Sequence, residues 1–398
     1  MKRIVLFLAL AAAISCSCSD GKEKMTASRG NGGRSSAVVI SPEAIPALAD
    51  SLTNALVYNF LDKTTGTFWG TPNDQDHNSG NLYWQQAHAL DVLLYCAVRV
   101  KESDPNRSAL YLDYADKWYR NYANNYNKSH RGEGSYGGFF NDWTDDMAWI
   151  GLTLMNISEV TGDSKYADTA KEVYDRYIWP RRVNSAKGIG LPWTNHAEDQ
   201  NNLNACTNAP SCLLAARLYQ KYGTASYLDN AKTLYAYNIA NMPDADRVEN
   251  PALTYTQGTF GEACRILYHI TGETAYMDKA AQVIRYAFTG SACTHNGIPR
   301  HEGTNMDQSI FKAVLIPYAV NFVLDKDAPA HAATTVREKL MYCATVLNRN
   351  LDKNSYPRMY ASYYWGDLHN PAETASMGAQ ASGASLLEGV SRLVLAGN

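Results

Sequence analysis

A chain of 398 residues with 45% hydrophobic content is long enough to bury one large core or two ordinary ones. Its 36 basic residues are spread among 39 acidic ones, for a net charge of -3; without a Lys/Arg tract to neutralise phosphates, composition gives a nucleic-acid partner no footing. What exceeds ordinary need is aromatic, 27 Tyr and 8 Trp, residues whose flat apolar face and polar edge suit a sugar ring.

The first residues read M-K-R-I-V-L-F-L-A-L-A-A-A-I-S-C. A short basic start and an apolar run too short to cross a bilayer make residues 1–15 a signal peptide. The A-I-S-C ending has the form of a bacterial lipobox, with Cys16 as the lipidated first residue of the mature chain. Cys18 fits less well behind Ser15, Cys16 and Ser17. Residues 16–40, rich in Gly, Ser and Lys, form a flexible tether to a domain over 41–398. The expectation is an exported, monomeric lipoprotein in the periplasm or on the outer-membrane surface, touching the membrane only through its anchor. The remaining cysteines contain no C-x-x-C pair, so no metal is expected and buried free thiols are the default.

Along the domain, an opening helix near Pro42 to Phe60 is followed by two kinds of segment. Tyr-x-x-x-Ala recurs at Tyr111, Tyr166, Tyr227 and Tyr276. Three of these follow a turn, T-G-D, Y-G-T or T-G-E, and each marks an amphipathic helix. Between them lie more apolar helices rich in small residues, from Asn81, Asp145, Asn208, Thr259, Ser309 and Thr374; a further polar-faced helix spans about Ala332 to Asn348. About twelve helices of alternating character, with no convincing period-two strand series, predict an all-α fold. It is an (α/α)6 barrel of six helical hairpins in a single domain, whose apolar helices form the inner ring. Inner helices then run one way, and the long loops feeding them gather on one rim. Those loops carry Trp69, Trp84, Trp193 and Trp365 as candidate sugar platforms.

One stretch on that rim, N-D-W-T-D-D-M-A-W from Asn141, opens an inner helix with two adjacent carboxylates. Thr144 is the expected N-cap, and acids in a first turn suit the helix dipole. Trp143 and Trp149 flank the pair and would partly dry it. Adjacent helical residues point about 100° apart, so Asp145 and Asp146 can flank one bond. Carboxyls about 5 Å apart suit a retaining glycosidase, and ionising one raises the cost of ionising the other. Competing signals are weak. D-Q-D-H-N-S-G from Asp74 departs from a calcium loop in its glycine and at Gln85, His301 and Glu302 lack the second histidine of a zinc protease motif, and no G-x-S-x-G elbow occurs.

The combination of N-D-W-T-D-D-M-A-W, W-T-N-H, N-A-C-T-N-A-P-S-C-L-L-A-A-R-L-Y, L-T-Y-T-Q-G-T and I-F-K-A-V-L, in that order from about Leu82 to Trp365, resembles glycoside hydrolase family 76, the endo-α-1,6-mannanases. The resemblance implies cleavage of α-1,6-linked mannan with retention by double displacement and without a cofactor, Asp145 being the nucleophile and Asp146 the general acid/base. It supplies that order; the spacing alone does not. Asn208, Tyr255, Gln257 and Lys312 are the expected subsite hydrogen-bonding residues, and Trp84, Trp143 and Trp365 further substrate contacts. Two positions depart from the family pattern, Thr256 for Asn and Ala313 for Gly. The rival readings are a glycan-binding protein that has lost turnover, another α/α-barrel enzyme such as an uronyl hydrolase or epimerase, and a transglycosylase like related fungal proteins. A pure binder has no need of the acid pair, and the rim lacks the His cluster of the second.

Overall fold

The computed structural model describes residues 39–72, 82–125 and 139–397; the signal peptide, Cys16, nearly all of the tether and the Asp74 stretch lie outside them. Twelve α-helices follow in order: α1 Ile45–Phe60, α2 Trp84–Val100, α3 Pro105–Asn125, α4 Thr144–Thr161, α5 Ser164–Val173, α6 Ala205–Tyr222, α7 Ala225–Asn241, α8 Thr254–Thr271, α9 Thr274–Thr289, α10 Met306–Leu324, α11 Ala330–Asn350 and α12 Met377–Leu395. Each even-numbered helix packs on the next, and α12 packs back on α2, which closes an inner ring. The odd-numbered helices cover it: α3 on α2, α5 on α4, α7 on α6, α9 on α8, α11 on α10 and α12, and α1 on α12. This is the expected (α/α)6 double ring.

Burial explains the two kinds of helix. The inner α12 is buried without a break from Met377 to Glu388, whereas the outer α9 buries a stripe at three- and four-residue spacing, including Tyr276, Ala280, Ile284 and Ala287. Inner helices also need close approach. A Cβ on Gly258 of α8 would sit 2.9 Å from Leu315 Cα on α10, so glycine is kept there despite its cost to a helix. Three inner helices, α4, α6 and α8, end on Gly162, Gly223 and Gly272 at φ between 68° and 76°. Each returns its N–H to a carbonyl of the last turn, a left-handed cap that only glycine enters freely.

The repeated tyrosines stitch the outer ring. Tyr111, Tyr166, Tyr227 and Tyr276 are buried with the alanines that follow them. The Tyr111 hydroxyl donates to Asn54 Oδ1 on α1 at 2.8 Å, Tyr166 to Asp116 Oδ1 on α3 at 2.8 Å, and Tyr227 to Asp175 just beyond α5. Part of the tyrosine excess therefore serves the scaffold and not a ligand.

Two local features differ from expectation. Short hairpins occur in the rim loops, β1 Val183–Ser185 with β2 Gly188–Gly190 and β3 Thr294–His295 with β4 Ile298–Pro299. They are too short to show alternation, although Asn296-Gly297, both at positive φ, is the dipeptide that favours a tight hairpin turn. L-T-Y-T-Q-G belongs to α8 and not to a loop. Glu302 caps that helix from outside, accepting from Thr254 N at 2.8 Å and Thr254 Oγ1 at 2.6 Å, so the helix starts five residues earlier than its apolar pattern.

Candidate active site

The inner helices all begin on the rim that carries the long connections. Thr144 is not the N-cap of α4: the cap is Trp143, in extended conformation and with no side-chain cap bond. Neighbouring loops do the work instead. Thr144 N donates to Trp193 O at 2.7 Å, and Trp143 bridges Thr194. Arg181 Nη1 donates to Asp142 O at 2.7 Å and Thr144 Oγ1 at 3.1 Å. The backbone that presents the two aspartates is held from two sides.

Asp145 Oδ2 accepts from Trp193 Nε1 at 3.1 Å and from Cys206 Sγ at 3.5 Å, while Oδ1 is buried without a hydrogen-bond partner among the described residues. Burial raises its pKa to about 6, opposed by those two donors and by backbone N–H groups at the helix start. Asp146 Oδ2 accepts from Asn141 Nδ2 at 2.7 Å. Burial, then the charges of Asp145 and Asp307, push its pKa well above the ordinary carboxyl value, with only Asn141 opposing. Ionisation of Asp146 is thus the more strongly opposed of the two.

A cluster of aromatic rings begins one turn along α4 from Asp145. Trp149, one turn below Asp145, is buried, and its ring lies 6.0 Å from Trp84 and 5.8 Å from Tyr255. Tyr255 stacks on Phe311 at 4.0 Å, and Phe311 on Trp84 at 6.1 Å. Four inner helices thus contribute rings to one cluster. Trp84 Nε1 donates to Asp307 Oδ1 at 2.9 Å, and Gln85 Nε2 donates to the same oxygen.

The structure brings Trp84, Trp143 and Tyr255 to this site, Trp143 lying 6.0 Å from the His196 ring. Four other expected contacts have their polar atoms bonded within the protein or their faces covered. Asn208 is fully buried and bonds Leu191 N, Leu191 O and Asn204 O. Gln257 bonds Val248 N, Asp246 O and Val283 O. Lys312 is buried with Nζ on Tyr363 O at 2.9 Å and over the Trp365 ring; Trp365 itself has no exposed surface. These four fasten loops to the inner ring. Trp193, considered as a platform, is half-buried and donates a hydrogen bond to Asp145.

Sequence reading missed Asp307, Cys206, Asn141 and Glu249. Glu249 stands in the loop before α8, where Thr256 Oγ1 donates to its Oε1 at 2.6 Å and burial raises its pKa to about 7. The family-atypical Thr256 therefore serves a carboxyl. Asn141 and Cys206 lay in quoted motifs and were findable; Asp307 and Glu249 carry no motif and become visible only when the inner helices meet.

The fold is a closed ring of helices that carries two adjacent buried carboxyls at the start of α4. The sequence profile of Glycosyl hydrolase family 76 matches residues 45–392, and the chain belongs to that family; it is a glycoside hydrolase. Among solved structures, the α-1,6-mannanase GH76A of Salegentibacter sp. HEL1_6 in complex with α-1,6-mannotetrose, an inactive variant, superposes with TM-score 0.73 at 22% identity over 88% of this chain and 99% of that one. The Lin0763 protein of Listeria innocua gives 0.72 at 23% over 88% and 98%. Dfg5 of Chaetomium thermophilum, in complex with glucosamine, gives 0.65 at 14% over 91% and 93%. No curated protein sequence matches.

Proposed function

We propose that the protein is a retaining endo-α-1,6-mannanase in which Asp145 is the nucleophile and Asp146 the general acid/base. The observation that carries this is the split environment of two adjacent acids: Asp145 has donors that favour its anion, whereas Asp146 faces two other carboxyls that favour its protonated form. The order that the family resemblance implies thus gains an independent physical reason. The reading is also supported by the Salegentibacter mannanase, whose variants with two adjacent aspartates replaced are described as inactive and bind α-1,6-mannotetrose and α-1,6-mannotriose.

Asp145 attacks the anomeric carbon while Asp146 gives its proton to the departing glycosidic oxygen, leaving a glycosyl ester on Asp145. Asp146, now charged, takes a proton from water as that water attacks the same carbon, and the ester bond breaks to free Asp145. Unbranched α-1,6-mannan should yield oligosaccharides whose first-formed reducing ends are α-anomers by NMR. Their kcat/KM should fall below about pH 6, where Asp145 gains a proton, with a basic limb where Asp146 loses one. Release of β-anomers, or no release at all, would falsify the reading.

The same proposal places the enzyme outside the cytoplasm on a lipid anchor at Cys16. Replacing Cys16 by Ala should abolish labelling by a fatty-acid analogue and free the protein from membranes; continued labelling would refute the anchor.

A further inference from the structure

Asp145 is held by one oxygen only, and one of its two side-chain donors is a thiol. Cys206 occupies the first turn of α6, whose cap is Asn204. Its Sγ lies 3.5 Å from Asp145 Oδ2 and 3.1 Å from Asn204 Oδ1. Asn204 Oδ1 already accepts from Thr207 N at 3.0 Å as the helix cap, so it is satisfied without the thiol. The Tyr255 side chain reaches the same sulfur from α8. One thiol proton therefore has two acceptors, and a charged carboxylate is the stronger one.

Resting on the mannanase reading, we infer that Cys206 is a positioning residue: with Trp193 it pins Asp145 by Oδ2, so that Oδ1 is the oxygen that bonds to the sugar. Four observations support this. Oδ1 is the oxygen without a hydrogen-bond partner among the described residues. The two donors come from different elements, the loop before α6 and α6 itself, and fix the plane of the carboxylate. Burial and the charges of Asp145 and Glu249 hold the thiol pKa well above its ordinary value, so Cys206 remains a donor at working pH. A thiol is also a weak donor, and steadies the anion with less loss of nucleophilicity than a hydroxyl would cause. When the ester forms, Oδ2 becomes the carbonyl oxygen and keeps both donors, which then favour the departing carboxylate in the second step.

The titratable groups around Asp145 are Asp146 on its own helix, Cys206 on α6, Tyr255 on α8 and Glu249 in the preceding loop, and Asp307 faces Asp146 from α10. Substitutions at Cys206 leave the other four in place. Cys206→Ser supplies a stronger donor and should move the acid limb of kcat/KM to lower pH; Cys206→Ala removes the donor and should move it to higher pH, each by about half a unit or more. A merely structural role would not shift the limb in opposite directions. The Trp193 indole N–H resonance, whose hydrogen bond reports Asp145 ionisation, should show the same two shifts in NMR titrations without substrate. In a trapped 2-fluoromannosyl enzyme, the ester should run through Oδ1, with Trp193 and Cys206 on the other oxygen.

Unchanged titrations in both variants, shifts of the same sign, or an ester through Oδ2 would overturn the inference. Failure of the wild type to cleave mannan sinks the mannanase reading instead, and the indole titration still decides whether Cys206 tunes Asp145.

Discussion

Asp145→Asn should lose on the order of 10⁴-fold or more in kcat on unbranched α-1,6-mannan, since an amide cannot form the glycosyl ester. Asp146→Asn should lose roughly 10²–10⁴-fold, the usual worth of a general acid. An activated aryl mannoside separates the roles, because its leaving group departs without a proton. On it the Asp146 variant should release the aryl group in a rapid burst and stall at the ester, while the Asp145 variant stays inactive; the reverse result would exchange the assignments. The same substitutions should alter stability. Each acid has a folded-state pKa above its unfolded value of 3.8, so the folded chain retains protons that the unfolded chain releases. Stability then declines as pH climbs from about 4 through about 6 for Asp145 and further for Asp146. Either Asn variant should flatten part of that slope and melt higher than wild type at pH 7. A variant that melts lower there would mean that the carboxylate serves the fold as well as the reaction.

The barrel was legible because its signals are local. Gly162, Gly223 and Gly272 punctuate the hairpins, Tyr-x-x-x-Ala names the outer helices, and small residues such as Gly258 name the inner ones. The acid pair was legible for the same reason, being contiguous at the start of one helix. Its surroundings were not. The donors to Asp145 come from the 191–204 loop and α6, and the charge opposing Asp146 comes from α10, more than 150 residues away in sequence. The internal partners of the expected subsite residues were hidden for a related reason. Asn208, Gln257 and Lys312 are polar residues near the rim, and proximity to a rim does not reveal that backbone groups of Leu191, Val248 and Tyr363 already occupy them. Conversely, Thr144 looks like a cap in isolation, but tertiary contacts from Trp193 and Arg181 displaced that local preference.

Arg99→Ala should destabilise the protein by about 3–5 kcal/mol, the usual cost of leaving a buried charge without its partner, measured by denaturant unfolding. Arg99 lies at the far end of the barrel, where α2 meets the last helix. Its Nε and Nη2 donate to Glu388 Oε2 and Oε1 at 2.6 and 2.9 Å, and Nη2 also reaches Asp50 Oδ1 at 2.8 Å. The Glu388 side chain has no exposed surface and takes a further bond from Thr53 Oγ1 at 2.7 Å. One guanidinium thus ties α1, α2 and α12 together at the seam where the first and last helices of the chain close the ring. A fork of two parallel bonds fixes that register more tightly than a point charge could, so Arg99→Lys should recover only part of the loss. Apolar replacement of both partners, Arg99→Met with Glu388→Leu, should restore much of the stability, because no ion is then stranded. Neither the Lys variant nor the double variant should change the acid limb of the pH profile, since the aspartate pair lies at the opposite end of the inner helices. A shift in that limb would show that closure of the ring sets the geometry of the rim.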